Sequence, residues 1–329
     1  VKNIELPRKV LVGDDALYEV DEVANELGLK GKPLILCDEV TKKIAADTVA
    51  EELDSKSVVI RDFEASSRKV GLDVRYVVGV GGGKVLDFGK IVAFENKLPY
   101  ISVPTTASHD GIASPQASIK TDKPVSVQVH CPMGVVADTK IISNSPRRLL
   151  ASGAADAISN YTAVLDWKLA HHERNEYFGD YASALSQLSA EIVMENASRI
   201  YKHISILVEA LISSGVAIGI AGSSRPASGS EHLFSHALDL ICEKPALHGE
   251  QCGVGTIMMA HLHDADWVKV KEALKTVEAP TTAKELGIPQ EKIIEALVKA
   301  ASIRDRYTIL RDGLTEKKAR ELAEETGVI

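Results

Sequence analysis

Two hydrophobic rhythms divide the chain. Through residues 1–145 short apolar runs alternate with amphipathic stretches. Residues 34–37, 57–60, 76–80 and 100–103 are predicted strands, the first ending at Asp38 and the last closed by Pro104. A helix is predicted over 41–53, where Ile44, Ala45, Thr48, Val49 and Glu52 keep helical spacing, and another over 85–94. Strands and helices in alternation build a parallel sheet. From Pro146 onward apolar residues recur at three and four instead. Leu149, Leu150, Ala154, Ala157, Ile158, Tyr161 and Leu165 follow that period, as do Tyr181, Ala184, Leu185, Leu188 and Ile192, and later Ile293, Ile294, Leu297 and Ala300. Strand-like alternation nearly vanishes, so this half is expected to be all-α. Ser143-Asn144-Ser145-Pro146 makes a helix start with Pro in its first turn, which places the expected domains at 1–145 and 146–329. Neither an internal repeat nor a low-complexity linker is visible.

Composition agrees with two domains and narrows the partners. A chain of 329 residues is too long for one ordinary core. Aromatics make up only 5%, so Ala, Val, Ile and Leu must fill the interior. The formal net charge of −8 argues against nucleic acid, which asks for a basic face, but leaves room for a small anion in a local positive pocket. Four cysteines lie far apart with no C-x-x-C pair, which suits reduced thiols and a cytoplasmic setting. Cys37 and Cys252 sit in apolar stretches and read as small buried hydrophobes. Lys2, Glu5, Arg8 and Lys9 interrupt the N-terminus, so no secretory signal is expected. The most apolar stretch, 204–222, is broken by Glu209, Ser213, Ser214 and several glycines; it reads as a core helix, with no membrane span.

The strand at 76–80 runs into Gly81-Gly82-Gly83-Lys84-Val85-Leu86-Asp87. A strand that breaks on three glycines and restarts as a helix lets backbone N–H groups approach an anion, with the helix N-terminus adding partial positive charge. A tight turn needing positive φ accounts for one or two of these glycines, less well for three. The segment is no Walker A loop, because Val85 follows Lys84 where a hydroxyl is required. It also comes two strands too late for the usual first-turn dinucleotide fingerprint. Asp38 is placed either to bind an adenosine ribose hydroxyl or to cap a helix. Pro104-Thr105-Thr106-Ala107-Ser108-His109-Asp110 clusters hydroxyls and an acid at the next strand's C-terminal end, where sheets of this type take ligands.

In the helical half, His232 and His236 stand four apart on one helix face, and His248 opens a helix after a short loop. Two imidazoles with a carboxylate suit Zn²⁺ or a similar divalent ion. Asp156 is the candidate acid, because it interrupts the small apolar run Gly153-Ala154-Ala155; a solvated surface acid is the alternative. His171-His172 and His261-x-His263 compete as histidine pairs but point their side chains apart.

Taken in order, Gly81-Gly82-Gly83-Lys84-Val85-Leu86-Asp87, Pro104-Thr105-Thr106-Ala107-Ser108-x-Asp110, Gly153-Ala154-Ala155-Asp156, His232-x-x-x-His236 and His248-Gly249-Glu250 resemble the superfamily of glycerol dehydrogenases, iron-containing alcohol dehydrogenases and dehydroquinate synthases. Within it the chain is most similar to the archaeal sn-glycerol-1-phosphate dehydrogenases. The resemblance implies a Rossmann-like parallel-sheet domain that binds the nicotinamide cofactor, an all-α domain that binds metal and substrate, and an active site in the cleft between them. It implies a metal-dependent oxidoreductase, with NAD(H) or NADP(H) and one divalent ion, expected to be Zn²⁺, held by Asp156, His232 and His248. Dihydroxyacetone phosphate would be reduced reversibly to sn-glycerol 1-phosphate, the backbone of archaeal phospholipids. Asp110, Asp156 and His236 would serve catalysis and line the substrate. Asp38, Gly81, Gly82, Gly83, Lys84, Val85, Asp87, Thr105, Thr106, Ser108 and Ser114 would bind the cofactor. Arg225, Lys202 and His236 are candidate phosphate partners, and a homo-oligomer is expected. A Gly-Gly-Lys after the Thr-Thr motif, expected of a dehydroquinate synthase, is replaced here by Gly111-Ile112-Ala113-Ser114-Pro115. Two alternatives remain: a glycerol dehydrogenase acting on an unphosphorylated polyol, and a non-catalytic module that senses a nucleotide.

Overall fold

The structure, a computed structural model, describes residues 4–63, 69–120 and 124–329. Its contacts gather into two units: Val1–Pro146 with His203–Ile220, and Arg147–Lys202 with Ala221–Ile329. The segment His203–Ile220, which sequence order places in the helical half, therefore packs with the sheet.

Among the described residues the first unit contains eight strands: β1 (Lys9–Gly13), β2 (Lys32–Cys37), β3 (Ser57–Val59), β4 (Val74–Gly81), β5 (Tyr100–Pro104), β6 (Gln116–Lys120), β7 (Pro124–Gln128) and β8 (Gly134–Asp138). Six of them form one parallel sheet in the order β1-β8-β5-β4-β2-β3, while β6 and β7 pair as an antiparallel hairpin. The four predicted strands are present within a few residues of their expected bounds. The edge strand β1, the inner strand β8 and the hairpin have no counterpart among the predicted strands. The helix expected over 41–53 begins earlier, at Glu39, and contains a π-helical turn at Lys42–Ala46.

Parallel strands covered on both faces become continuous apolar runs, and β4 shows it. Val78 and Val80 pack with Ile35, Cys37, Ile101, Val20 and Val49 on one face. Val77 packs with Leu36, Tyr100, Val85 and Val92 on the other. The chain leaves β2 for the edge strand β3, then returns to the opposite side of β2 as β4. That reversal is a topological switch point, and the loops at the C-terminal ends of β2, β4 and β5 are the ones it exposes to ligands.

Helix Ile204–Ala221 is apolar and long enough to span a membrane by length and composition. In the first unit it is a packed helix. Gly215 lies so close to the backbone of Ala113 and Ser114 that a Cβ would come within 2.8 Å of both. Its Ser214 donates to Asp110 Oδ2 at 3.3 Å.

The second unit is helical throughout. Its long axis is helix Arg147–Arg174, joined by Asp180–Glu195, Ser230–Ile241, His248–Leu262, Trp267–Thr276 and Gln290–Ala300. Ile293, Ile294, Leu297 and Ala300 are buried, as their spacing suggests. Helix Asp180–Glu195 turns the other way. Its periodic residues Tyr181 and Leu188 are exposed, while Ala182, Ser183, Ser186, Ser189, Ala190 and Val193 face inward. Small side chains let this helix lie close against its neighbours, and Ser186 Oγ closes the gap by donating to Pro226 O at 2.5 Å.

Candidate active site

The first unit brings the glycine turn, Asp38 and the Thr105-Thr106 pair to one edge. Gly81 pairs with Pro104 across β4 and β5, and Thr105 N donates to Gly81 O at 3.0 Å. Gly82 caps helix Gly83–Glu95 with extended backbone and no side-chain hydrogen bond, and Val85 N of the first turn donates back to Gly82 O at 3.0 Å. None of the three glycines has positive φ. Gly81 and Gly83 are required by close approach instead: a Cβ on Gly81 would lie 2.7 Å from Val85, and one on Gly83 would lie 2.0 Å from His109 Nε2. At Gly82 the nearest atom to such a Cβ is Thr106 Cγ2 at 3.5 Å, so only a ligand would be displaced there.

The expected cofactor residues divide by environment. Gly82, Gly83, Lys84 and Ser108 retain exposure at the turn, while Thr105 and Thr106 are buried beneath it. Thr106 Oγ1 accepts from Ser145 Oγ at 3.1 Å. Val85 and Ser114 are buried in the unit. Asp87 is tied inward, paired with the fully buried Lys90 at 2.9 Å and accepting from Ser118 N at 3.0 Å. Asp38 is a helix cap, its Oδ1 accepting from Val40 N at 3.0 Å, Thr41 N at 2.7 Å and Thr41 Oγ1 at 2.9 Å. His109, which carried no assigned role in the sequence, covers Gly83 and accepts from Gly111 N through Nδ1 at 2.8 Å.

The second unit converges on a different chemistry. Asp156, His232, His248 and Cys252 each offer a ligand atom, all within 4.8 Å of one another. Close helix packing produces this meeting. A Cβ on Gly249 would lie 1.9 Å from Ser152 O, and one on Gly253 would lie 3.0 Å from Ala155 Cβ, so helix His248–Leu262 presses directly on helix Arg147–Arg174. Arg148 fixes the start of that contact with a two-point grip on Glu250, at 2.6 and 2.7 Å. Glu250 in turn accepts from Leu247 N at 3.1 Å.

Both imidazoles are held from behind. His232 Nδ1 donates to Glu231 Oε1 at 2.9 Å, and Ser235 Oγ stands 3.2 Å from His248 Nδ1. Each Nε2 is thereby left facing Asp156 Oδ1, at 3.9 Å for His232 and 3.7 Å for His248. Tetrahedral ligands at zinc bond lengths stand roughly 3.4 Å apart, so these donors fit one divalent ion with little adjustment. Burial, reinforced by His248 and His236, pushes the His232 imidazole well below its ordinary range, which keeps it neutral and able to coordinate. Glu231 is fully buried and also accepts from Gly229 N at 2.6 Å and Thr162 Oγ1 at 2.8 Å. Burial and nearby Asp166 push its carboxyl up to about 7.

Cys252 is buried, as the sequence suggests, but it also stands 3.6 Å from His248 Nε2. Burial and the charges of Asp156 and Glu231 push its thiol well up. His236 lies beside the pair, its ring 5.9 Å from that of His248 and 6.4 Å from that of His232. Its Nε2 accepts from Arg304 at 3.2 Å. The competing histidines serve elsewhere: His171 meets Glu176 O, His261 meets Glu325 and His263 meets Asp166. Asp110 belongs to the first unit, where it accepts from Ser214. Glu231 had a faint sequence signal, an acid directly before the first histidine. Arg304, in a loop rich in charge, had none.

Comparison with known proteins now adds lineage. A profile of iron-containing alcohol dehydrogenases matches residues 11–146. A protein of Methanosarcina acetivorans named glycerol-1-phosphate dehydrogenase [NAD(P)+] is 50% identical, with 100% of this chain and 97% of that protein covered. One of the same name from Methanothermobacter thermautotrophicus is 51% identical over 100% of this chain and 99% of its own length. Among solved structures, a probable glycerol dehydrogenase from Sinorhizobium meliloti superposes with a TM-score of 0.81 over 99% of this chain and 98% of its own, at 20% identity, and so shares the fold. The sequence resemblance and the structural match agree: the chain belongs to the glycerol-1-phosphate dehydrogenase family.

Proposed function

We propose that this protein reversibly reduces dihydroxyacetone phosphate to sn-glycerol 1-phosphate with NADH or NADPH, supplying the archaeal phospholipid backbone from the cytoplasm. The convergence of Asp156, His232 and His248 carries the reading, because a purely structural helix bundle has no use for two imidazoles aimed at one buried carboxylate. The names of relatives at about half identity over their full length supply the substrate and the cofactor. The donor set of two nitrogens and one oxygen suits Zn²⁺. Held by these three residues, such an ion would supply Lewis-acid polarisation of a ketone oxygen.

The chain's own residues do the rest. Asp156 brings the negative charge that holds a cation in a buried site. Glu231 and Ser235 fix the ring orientations of His232 and His248. The bare turn at Gly82 and Gly83 seats the cofactor pyrophosphate on backbone N–H groups, with Thr105, Thr106 and Ser108 beside it. Asp38 stands at the C-terminal end of β2, where an acid favours an unphosphorylated ribose and hence NAD(H). Asp110 holds a substrate hydroxyl and so selects the carbonyl face that receives hydride. His236 passes the proton that the product alcohol takes up. The exposed apolar side chains Tyr181 and Leu188 support a homo-oligomer.

A hydride-transfer assay with both ketones and both cofactors tests the proposal. Dihydroxyacetone phosphate should be turned over with a kcat/KM at least about 100-fold above that of dihydroxyacetone, as expected when a buried charged partner is built for the phosphate. Equal efficiencies would transfer the protein to the glycerol dehydrogenase reading. Binding of NADH and metal without turnover of either ketone would leave a sensing module.

A further inference from the structure

A phosphorylated substrate needs a positive partner near the ion-holding residues. The candidates visible in sequence do not provide one. Arg225 is buried and gripped on two nitrogens by Glu176, with Nε donating at 2.6 Å, and its third nitrogen donates to Tyr307 O at 2.8 Å. Lys202 is exposed. The unspent charge lies instead in the loop after helix Gln290–Ala300.

That loop carries Arg304 and Arg306 and is strapped down at several points. Ile309 N donates to Asp166 Oδ1 at 2.6 Å, and Asp166 Oδ2 receives Ser230 N at 2.7 Å, the residue that opens the His232 helix. Arg306 donates to Ser228 O and, at 2.8 Å, to Ser224 Oγ. Arg311 pairs with Glu173 at 2.8 Å. One buried aspartate thus ties the loop and the start of the ligand helix to the same turn of helix Arg147–Arg174. Arg304 is half-buried, and its guanidinium donates to His236 Nε2 at 3.2 Å. Among the described residues neither Arg304 nor Arg306 has a carboxylate partner. Two guanidinium groups therefore stand beside the histidine cluster, hydrogen-bonded among the described residues to a carbonyl, a hydroxyl and an imidazole, while Glu231 and Glu176 offset Arg306 at longer range. Arg304 has no carboxylate in contact among the described residues, and a guanidinium fork matches phosphate oxygens two at a time.

We propose that Arg304, backed by Arg306 and held in place through His236 and the Asp166 strap, seats the phosphate group of the substrate. The assignment rests on the proposed phosphorylated ketone as substrate. The phosphorus of dihydroxyacetone phosphate is three bonds from the reacting carbonyl carbon, a short reach that suits an anchor one side chain away from the ligand histidines. Arg306 keeps the local potential positive, and His236 aims Arg304 while its ring packs on His248. Arg304 acts by binding and positioning, so its loss should appear as lost discrimination between phosphorylated and free ketones.

The test compares the unmodified protein with Arg304→Gln and Arg304→Lys, measuring kcat/KM for dihydroxyacetone phosphate and dihydroxyacetone alongside metal content. Arg304→Gln should lower the ratio of the two efficiencies by about 100-fold, the size of a lost charged hydrogen-bond pair, with the bound metal retained. Arg304→Lys should lower it by about 10-fold, because a point charge survives without the fork. On the unmodified protein, inorganic phosphate should inhibit competitively with dihydroxyacetone phosphate and not with NADH. A ratio kept within about twofold in Arg304→Gln, loss of metal from both variants, or phosphate competing with NADH would each overturn the assignment; the first bound uses the same hydrogen-bond scale. Should Arg304→Gln fail to fold, Arg304→Lys and the phosphate competition decide. An unmodified protein with no preference for the phosphorylated ketone defeats the proposed function itself, a result separate from any effect of the variants.

Discussion

The two units make their sites in opposite ways. In the first, the turn at Gly81, Gly82 and Gly83 offers backbone, and its parts are neighbours in sequence. In the second, Asp156, His232 and His248 offer side chains from three helices separated by many residues. A backbone site depends on what is missing: a Cβ on Gly81 or Gly83 would strike Val85 or His109, while Gly82 has room for one. A side-chain site depends on what is brought together, and here the bringing is done by Gly249 and Gly253 pressing on Ser152 and Ala155. Glycine serves both units, in one by baring a helix end and in the other by letting two helices touch.

The contrast can be tested by damaging each site and asking whether the other survives. The largest effect should come from His248→Ala, which removes one of three ligands: bound metal and turnover should fall by about 1,000-fold or more, while NADH still binds. Parallel loss of NADH affinity would show that the two sites are not separable. Next, Gly82→Val should weaken NADH binding by about 100-fold, because its side chain takes the space where a phosphate meets the helix N-terminus. Metal content should stay at the unmodified level, and an unaltered NADH titration would remove the cradle from the account. The smallest effect is expected from Glu231→Gln, which keeps shape but weakens the hold on His232 Nδ1. Metal affinity, measured by competition with a chelator, should drop by about 10-fold, within the usual range for groups behind a ligand. An unchanged affinity would make Glu231 part of the buried network around Asp166 and Thr162 and nothing more.

Legibility followed the same division. The strands at 34–37, 76–80 and 100–103 were readable because burial on both faces leaves continuous apolar runs, and the glycine turn was readable because it is local. Strand β8 was not read from the periodicity, although it lies inside the same sheet. The outward face of helix Asp180–Glu195 was hidden for another reason. Spacing marks a helix but does not say which side finds partners, and here small residues won the inward face. For the ion site, the ligand types were visible, but the support was not. Glu231 and Ser235 act through contacts that form only when helices pack, and Arg304 reaches His236 from 68 positions away.

The chain's order of residues alone determined that a bare helix start follows β4 and that two imidazoles share one helical face, because both are consequences of local geometry. Whether His232 and His248, from different helices, meet Asp156 was decided by tertiary structure, for His248 through the approach distance that Gly249 and Gly253 allow. The fate of each arginine was decided there too. Arg225 and Arg304 carry the same charge, yet Glu176 neutralises the first and only a histidine nitrogen meets the second. Charge is written in the sequence, but its availability depends on which neighbours the fold sets against it.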